Sequence, residues 1–410
     1  MNQDKDVAPR KNAMLGALGI PGIAGSSFSD LADRAGATPF YAYDRTALKS
    51  NIASIRAALP TECEIYYSPK VNPFSPLVFE ISRLVDGLDV ASSRELRLAL
   101  DCGVDPRQCL LTGPAKTETE IRCGVGSGVT INIESPEQLM RVSTEGLRSG
   151  KRPVVSIRVN SQFAVPRTSI QRYENSQFGI DIDAAYQVAR MAIERDLELA
   201  GFHLFFGSQY FDPAIIAENQ LRAFRIARGL ADAVGLSQYF VNVGGGFGVP
   251  FHQGDEELDL LEMGDRMNSW MNTELRTDRN ARIIIELGRY IVATAGYYIM
   301  RVVDKKRVGE EQFLLVDGGL HHHLLASGTF AQSAARNAIM APGVATRGRR
   351  DEVVSVAGRL CSVMDRFATH VSLPEMEIGE LVVISSSGAY GPSFSPSGFL
   401  SHDPAIELLV

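Results

Sequence analysis

The sequence predicts an α/β fold: a (β/α)8 TIM-type barrel with a second, mostly β domain of sandwich or Greek-key barrel type. Three observations predict it: eight near-continuous apolar runs, helix signals in most of the gaps between them, and the fading of those signals after Tyr290. The runs are Glu64–Lys70, Gly87–Ser92, Cys109–Gly113, Val129–Glu134, Pro153–Asn160, Leu199–Phe206, Tyr239–Gly246 and Arg282–Arg289. Parallel strands covered by helices on both faces read this way. Ser92-Ser-Arg-Glu95 has capping-box spacing before a periodic stretch that stops at Gly103. Ser135-Pro-Glu-Gln138 combines an N-cap, a proline at the first helical position and a polar partner three residues on. Asp183–Glu194 and Asn219–Val234 read as amphipathic helices. Eight such units over roughly 230 residues suit a barrel. A doubly wound sheet is the alternative, but its glycine-rich turn would follow the first strand, and here the glycines follow the seventh.

Beyond Tyr290, Ala295–Val303, Gln312–Val316, Glu352–Val356, Glu380–Ser385 and Ala405–Val410 are strand-like, with little helix between them. Thr38-Pro-Phe-Tyr-Ala-Tyr43 is a candidate further strand of that domain. The expected division is 41–290 for the barrel and 1–40 with 291–410 for the β domain. The polar segment 161–175 reads as a loop at the barrel mouth. With 410 residues, 45% hydrophobic and 22% charged, the chain is too long for one ordinary domain and is neither disordered nor fibrous. A net charge of -7 argues against nucleic acid as a partner. No apolar run approaches a membrane span, and residues 1–14 are not signal-like. Five cysteines without a CxxC pair indicate neither a disulfide framework nor a zinc site, and fit a reducing cytoplasm.

The C-terminal ends of barrel strands build the active site. Here they carry Tyr66-Tyr-Ser-Pro-Lys70, Arg158, Gly207-Ser208, Gly244-Gly-Gly-Phe-Gly248 and Glu286-Leu-Gly-Arg289-Tyr290. A lysine closing an apolar strand can be desolvated and form a Schiff base, although Lys70 taken alone reads as a snorkelling surface lysine. Gly244, Gly245 and Gly246 either admit backbone N–H groups to a phosphate or make a tight turn. Arg289 would clamp that phosphate, and Glu286 would face a pyridinium nitrogen. A lysine, a phosphate cradle and a carboxylate at one mouth are the parts a pyridoxal phosphate enzyme needs.

On these residues the chain resembles the fold-type III pyridoxal phosphate decarboxylases, which include ornithine, arginine and diaminopimelate decarboxylases. The resemblance runs from Thr38-Pro-Phe-Tyr to the C-terminus. Tyr67-Ser-Pro-Lys70-Val-Asn-Pro resembles the Schiff-base lysine motif, and Asp89-Val-Ala-Ser-Ser-Arg-Glu95 the motif whose acidic residues sit near the cofactor. Gly207-Ser208-Gln209, Gly244–Gly248 and Glu286-x-Gly-Arg289-Tyr290 are similar to the phosphate and pyridine-nitrogen motifs. Cys361-Ser-Val-Met-Asp365 resembles the motif whose cysteine reaches a partner subunit's active site, and Gly388-Ala-Tyr390 the late tyrosine motif that contacts the cofactor.

The resemblance implies a decarboxylase dependent on pyridoxal 5'-phosphate, acting on a small amino-acid substrate as a homodimer with shared active sites. Lys70 would hold the cofactor, and Asp89, Arg158, Phe205, Ser208, Gly244, Gly245, Gly246, Arg289 and Tyr390 would contact it. Glu286 would keep the pyridine nitrogen protonated, so that the ring accepts the electron pair left by carbon dioxide. Cys361 would return the proton to Cα; outside its motif it would read as an inert core thiol.

Three departures bear on substrate. The family usually has a histidine two residues before Gly207; here it is Phe205, which can stack but not give a proton, while His203 reads as a satisfied core histidine. The residue after the cysteine is acidic in members that accept a distal amine. Here it is Ser362, which counts against ornithine, lysine or diaminopimelate, with Asp365 as a candidate replacement. Asp317-Gly-Gly-Leu-His321-His322-His323 invites a metal reading. Consecutive strand residues face opposite sides, so no metal is expected, and His322 is placed on the substrate side.

This stretch, Phe205-Phe-Gly-Ser-Gln and Gly388-Ala-Tyr-Gly-Pro-Ser-Phe-Ser-Pro resemble a subgroup found in secondary-metabolite and exopolysaccharide gene clusters. It includes a butirosin-type decarboxylase acting on glutamate carried on an acyl carrier protein, and exosortase-associated decarboxylases. A substrate on an acyl or peptidyl carrier protein has no free distal amine, in keeping with Ser362. The alternatives are a decarboxylase of a free diamino acid, an amino-acid racemase and a non-catalytic homologue. A racemase profits from a neutral pyridine nitrogen, against Glu286, and a non-catalytic homologue would be expected to lose Lys70, Glu286 or Cys361.

Overall fold

The computed structural model describes residue 20 and residues 22–160, 176–251, 255–275, 280–327, 338–342 and 349–410. The segment 161–175, expected as a loop, lies outside them. The described residues fall into two compact units, one within Ile52–Gly248 and Leu258–Gly288, the other within Met1–Asn51, Val249–Glu257 and Arg289–Val410.

In the first unit, eight parallel strands close into a barrel in sequence order. They are β1 (Cys63–Tyr67), β2 (Gly87–Val90), β3 (Cys109–Leu111), β4 (Thr130–Ile133), β5 (Val154–Val159), β6 (Glu198–Leu204), β7 (Tyr239–Asn242) and β8 (Ala281–Leu287). β8 returns to β1, with Glu286 opposite Tyr66. This closure removes the edges that a doubly wound sheet would keep. Each strand is shorter than its apolar run, and most of the surplus residues lie beyond its C-terminal end: Lys70 lies in a single 3-10 turn, Pro69–Val71, just beyond β1.

The caps act as the sequence indicates. Ser92 accepts from the Glu95 N–H at the start of Ser93–Asp101, and Ser135 accepts from Gln138 at the start of Pro136–Ser149. The helix expected over Asn219–Val234 begins earlier, at Pro213, because Asp212 caps it and a proline tolerates the first helical position. Three helices that the periodicity did not single out, Ser75–Ser82, Glu118–Ser127 and Leu260–Glu274, complete the gaps. Among the described residues no helix is long and apolar enough to cross a membrane.

The second unit is built on an eight-stranded sheet. Its long strand Gly296–Val308 pairs antiparallel with Leu381–Ile384, Glu311–Val316 and Phe40–Tyr43. Phe40–Tyr43 also pairs in parallel with Ile406–Leu409, so the Thr38–Tyr43 stretch does supply a strand to this sheet. Phe28, Phe40, Tyr297, Ile299 and Val383 pack its core. Arg366–Pro374, paired with Asp351–Ala357, is a strand that the sequence reading passed over. Its alternating, half-exposed residues and left-handed His370 (φ 52°) break the apolar run expected of a strand.

His321, His322 and His323 lie in a turn rather than a strand, with the His322 and His323 N–H groups donating to the Gly319 carbonyl. His323 is buried and its Nε2 is 3.1 Å from Ser387 Oγ. Burial pushes its pKa down from 6.5 to about 3. The unfolded chain takes up this proton as pH falls below about 6.5, and the folded chain only near 3, so stability falls as pH drops through that window. The thermal midpoint should therefore hold near neutral pH and fall as the pH drops below about 6.5. His323→Leu should make that fall shallower, and an unchanged slope would count against the assignment.

Candidate active site

Strands covered on both faces should be apolar, yet the barrel carries a connected set of buried polar side chains on strand after strand. They are Asp89 on β2, Thr112 just past β3, Asn132 on β4, Ser156 on β5, His203 on β6, Asn242 on β7 and Glu286 on β8. Parallel register sets Asn132 opposite Ser156 and Asn242 opposite His203. Most of these groups pair with one another, as buried polar groups tend to, while Asp89 Oδ2 and His203 Nε2 make no hydrogen bond among the described residues. Thr112 Oγ1 donates to Asp89 Oδ1 at 2.5 Å, and Ser156 Oγ donates to Asn132 Oδ1 at 3.0 Å. Asn132 Nδ2 lies 2.6 Å from His203 Nδ1, His203 Nε2 lies 3.4 Å from Glu286 Oε1, and Asn242 Nδ2 donates to that same oxygen.

The half-exposed Lys70 joins this layer, with its Nζ 3.5 Å from the fully buried Asp89 Oδ2. Burial, and then the neighbouring Glu286 charge, push the Asp89 carboxyl upward; Lys70, His203 and the Thr112 hydroxyl oppose them. Arg158, on β5, is held 3.4 Å from Glu134 Oε1, with its guanidinium 4.7 Å from the Phe178 ring centre.

The loops after β6 and β7 are laced together. Tyr210 N–H donates to the Gly246 carbonyl at 2.9 Å, and Gly248 N–H to the Tyr210 carbonyl at 2.8 Å. A Cβ on Gly245 would lie 1.8 Å from the Glu286 carbonyl oxygen, and Gly246 has a left-handed φ of 82°, so a side chain at either position is excluded or strained. Phe205 and Ser208, both partly exposed, stand on the first of these loops. An accessible lysine amine, a buried carboxylate and a turn of bare backbone at strand ends form a donor set that fits pyridoxal phosphate.

In the β unit, the Arg289 guanidinium lies 4.9 Å from the centre of the Tyr390 ring and 5.7 Å from that of Phe251. Cys361 is an exposed free thiol, followed by the partly exposed Ser362 and the exposed Val363 and Met364. Asp365, expected as a candidate counter-charge, is buried and braced by backbone: Oδ1 accepts from Leu320 N–H at 2.6 Å and Oδ2 from Leu360 N–H at 2.9 Å. Its carboxylate braces its own loop. His322 is buried as well, with Nδ1 3.0 Å from Tyr298 Oη and Nε2 2.8 Å from the Asp403 carbonyl oxygen, so neither nitrogen is left for a substrate.

The apolar pattern alone does not single out Asn132, Asn242 and Thr112, and it reads His203 as a core residue. The signal was present: a polar residue interrupting an apolar strand needs a buried partner.

Residues 45–293 match the model of the pyridoxal-dependent decarboxylase family, pyridoxal binding domain. The chain is 32% identical to L-glutamyl-[BtrI acyl-carrier protein] decarboxylase of Niallia circulans, over 91% of this chain and 88% of that one. It is 28% identical to 2-[(L-alanin-3-ylcarbamoyl)methyl]-2-hydroxybutanedioate decarboxylase of Staphylococcus aureus, over 88% and 91% of the two chains. The crystal structure of diaminopimelate decarboxylase from M. jannaschii superposes with a TM-score of 0.86 at 25% identity, covering 94% of this chain and 89% of that one. The chain belongs to the pyridoxal-dependent decarboxylase family and is a pyridoxal phosphate-dependent decarboxylase of an amino acid or amino-acid derivative.

Proposed function

We propose that the substrate is an L-amino acid whose distal end carries no free ammonium group, such as an aminoacyl group on an acyl or peptidyl carrier protein. The observation that carries this reading is the closed Asp365 carboxylate: with both oxygens taken by backbone N–H groups, only neutral Ser362 follows Cys361. A distal ammonium would enter without its counter-charge, which is costly in a desolvated pocket. Two relatives point the same way. One is named for a glutamyl group on a carrier protein, the other for an alanine unit whose side-chain nitrogen is in a carbamoyl link. The rival reading, a free diamino acid, rests on the likeness to diaminopimelate decarboxylase.

In the proposed site, Lys70 Nζ holds the cofactor and Asp89 stands beside it as a counter-charge. Ser208 and the backbone of Gly244, Gly245 and Gly246 cradle the phosphate, with Arg289 and Tyr390 as further contacts. Phe205 offers an aromatic face, Arg158 steadies Glu134 and the mouth, and Glu286 faces the pyridine nitrogen. When bound, the cofactor supplies the sink for the electron pair released as the Cα–carboxylate bond breaks. Cys361 Sγ then returns a proton to Cα, carbon dioxide being the leaving group. The exposed Cys361-Ser-Val-Met364 run, with two apolar side chains in water, supports a homodimer in which Cys361 serves the partner's site.

Borohydride reduction of the loaded protein should fix the cofactor to the peptide containing Lys70, and Lys70→Ala should abolish that label; a label retained in the variant overturns the assignment. Glutamyl-carrier protein should turn over at least tenfold faster than free lysine, ornithine or diaminopimelate, a discrimination of about 1.4 kcal/mol or more; rapid release of carbon dioxide from a free diamino acid sinks the substrate reading. Mixing inactive Lys70→Ala and Cys361→Ala proteins should restore part of the activity if sites are shared. No recovery in a mixture shown to exchange subunits argues against sharing.

A further inference from the structure

The His203 ring lies between the Asn132 amide and the Glu286 carboxylate, which can only accept. Asn132 Oδ1 already accepts from Ser156 Oγ at 3.0 Å, so the amide presents its Nδ2 to His203 Nδ1, 2.6 Å away. With the amide in this orientation a proton on Nδ1 would set donor against donor, so the contacts favour Nε2, which lies 3.4 Å from Glu286 Oε1, within ion-pair distance but outside hydrogen-bond geometry. We propose that His203 is a positioning residue for the decarboxylation, a permanently neutral imidazole whose Nε2–H, together with Asn242 Nδ2, holds Glu286 by Oε1 and leaves Oε2 for the cofactor's pyridine nitrogen.

Neutrality matters as much as placement. An imidazolium would cancel the carboxylate charge on which a protonated pyridine depends; a neutral ring donates to that charge without discharging it. The surroundings enforce this. His203 is buried, and burial, followed by the Arg158 guanidinium, presses its pKa down to about 3 against the opposing pull of Asp89 and Glu134, with Lys70 adding to the downward push. Phe205, which cannot give a proton, leaves His203 as the imidazole of this strand end.

The inference rests on the reading of Glu286 as the pyridine partner, and three measurements separate the two. Ring nitrogen-15 NMR of histidine-labelled, cofactor-free protein should show the His203 resonance, assigned by its loss in His203→Gln, as an Nε2–H tautomer that does not titrate down to about pH 5. An Nδ1–H tautomer, or a ring that protonates in that range, overturns the proposal. Titration with pyridoxal 5'-phosphate should show about tenfold weaker binding and a shifted absorbance pH profile for His203→Leu. His203→Gln, which keeps an amide N–H near the Nε2 position, should stay close to the parent. If the two variants behave alike while Glu286→Gln perturbs the profile, the role of His203 fails alone. If Glu286→Gln leaves the profile unchanged, the Glu286 reading fails and the proposal falls with it.

Discussion

Two carboxylates buried in one barrel are the constraint from which the rest of the site follows. Asp89 and Glu286 lie close enough for each to feel the other's charge, and water reaches neither freely. A buried anion persists only with donors in place. The barrel supplies donors in Thr112 for Asp89 and Asn242 for Glu286, and sets Lys70 3.5 Å from Asp89 and His203 3.4 Å from Glu286. Because these groups sit on or just beyond different strands, closure of the sheet and assembly of the site go together.

The glycine loops follow the same logic on the backbone side. Gly245 can lie against the Glu286 carbonyl because it has no side chain, and the Tyr210–Gly246 and Gly248–Tyr210 hydrogen bonds hold the two loops in mutual register. A cradle of bare N–H groups is useful only if it keeps its shape, and this lacing gives it a fixed one.

Much of this was legible in the residues. Parallel barrel strands announce themselves because covering on both faces makes them continuous apolar runs, and Lys70 and Glu286 stand out as charges at or near the ends of such runs. Arg366–Pro374 escaped because it alternates and bends. His203 and Asn132 escaped for another reason: a strand's pattern shows that a polar residue is buried, but its partner sits on a strand far along the chain. The burial of Asp365 and its two bonds from backbone N–H groups arise from loop geometry, which leaves no trace in residue type.

The strand Phe40–Tyr43 lies beside Ile406–Leu409, almost the whole length of the chain away. All eight barrel strands have been synthesised by residue 287, whereas this sheet lacks a neighbour until residues 406–409 are made. Vectorial synthesis thus lets the barrel settle first and leaves Phe40–Tyr43 with an open edge for most of translation, a window in which a chaperone or another nascent chain would find a strand to bind.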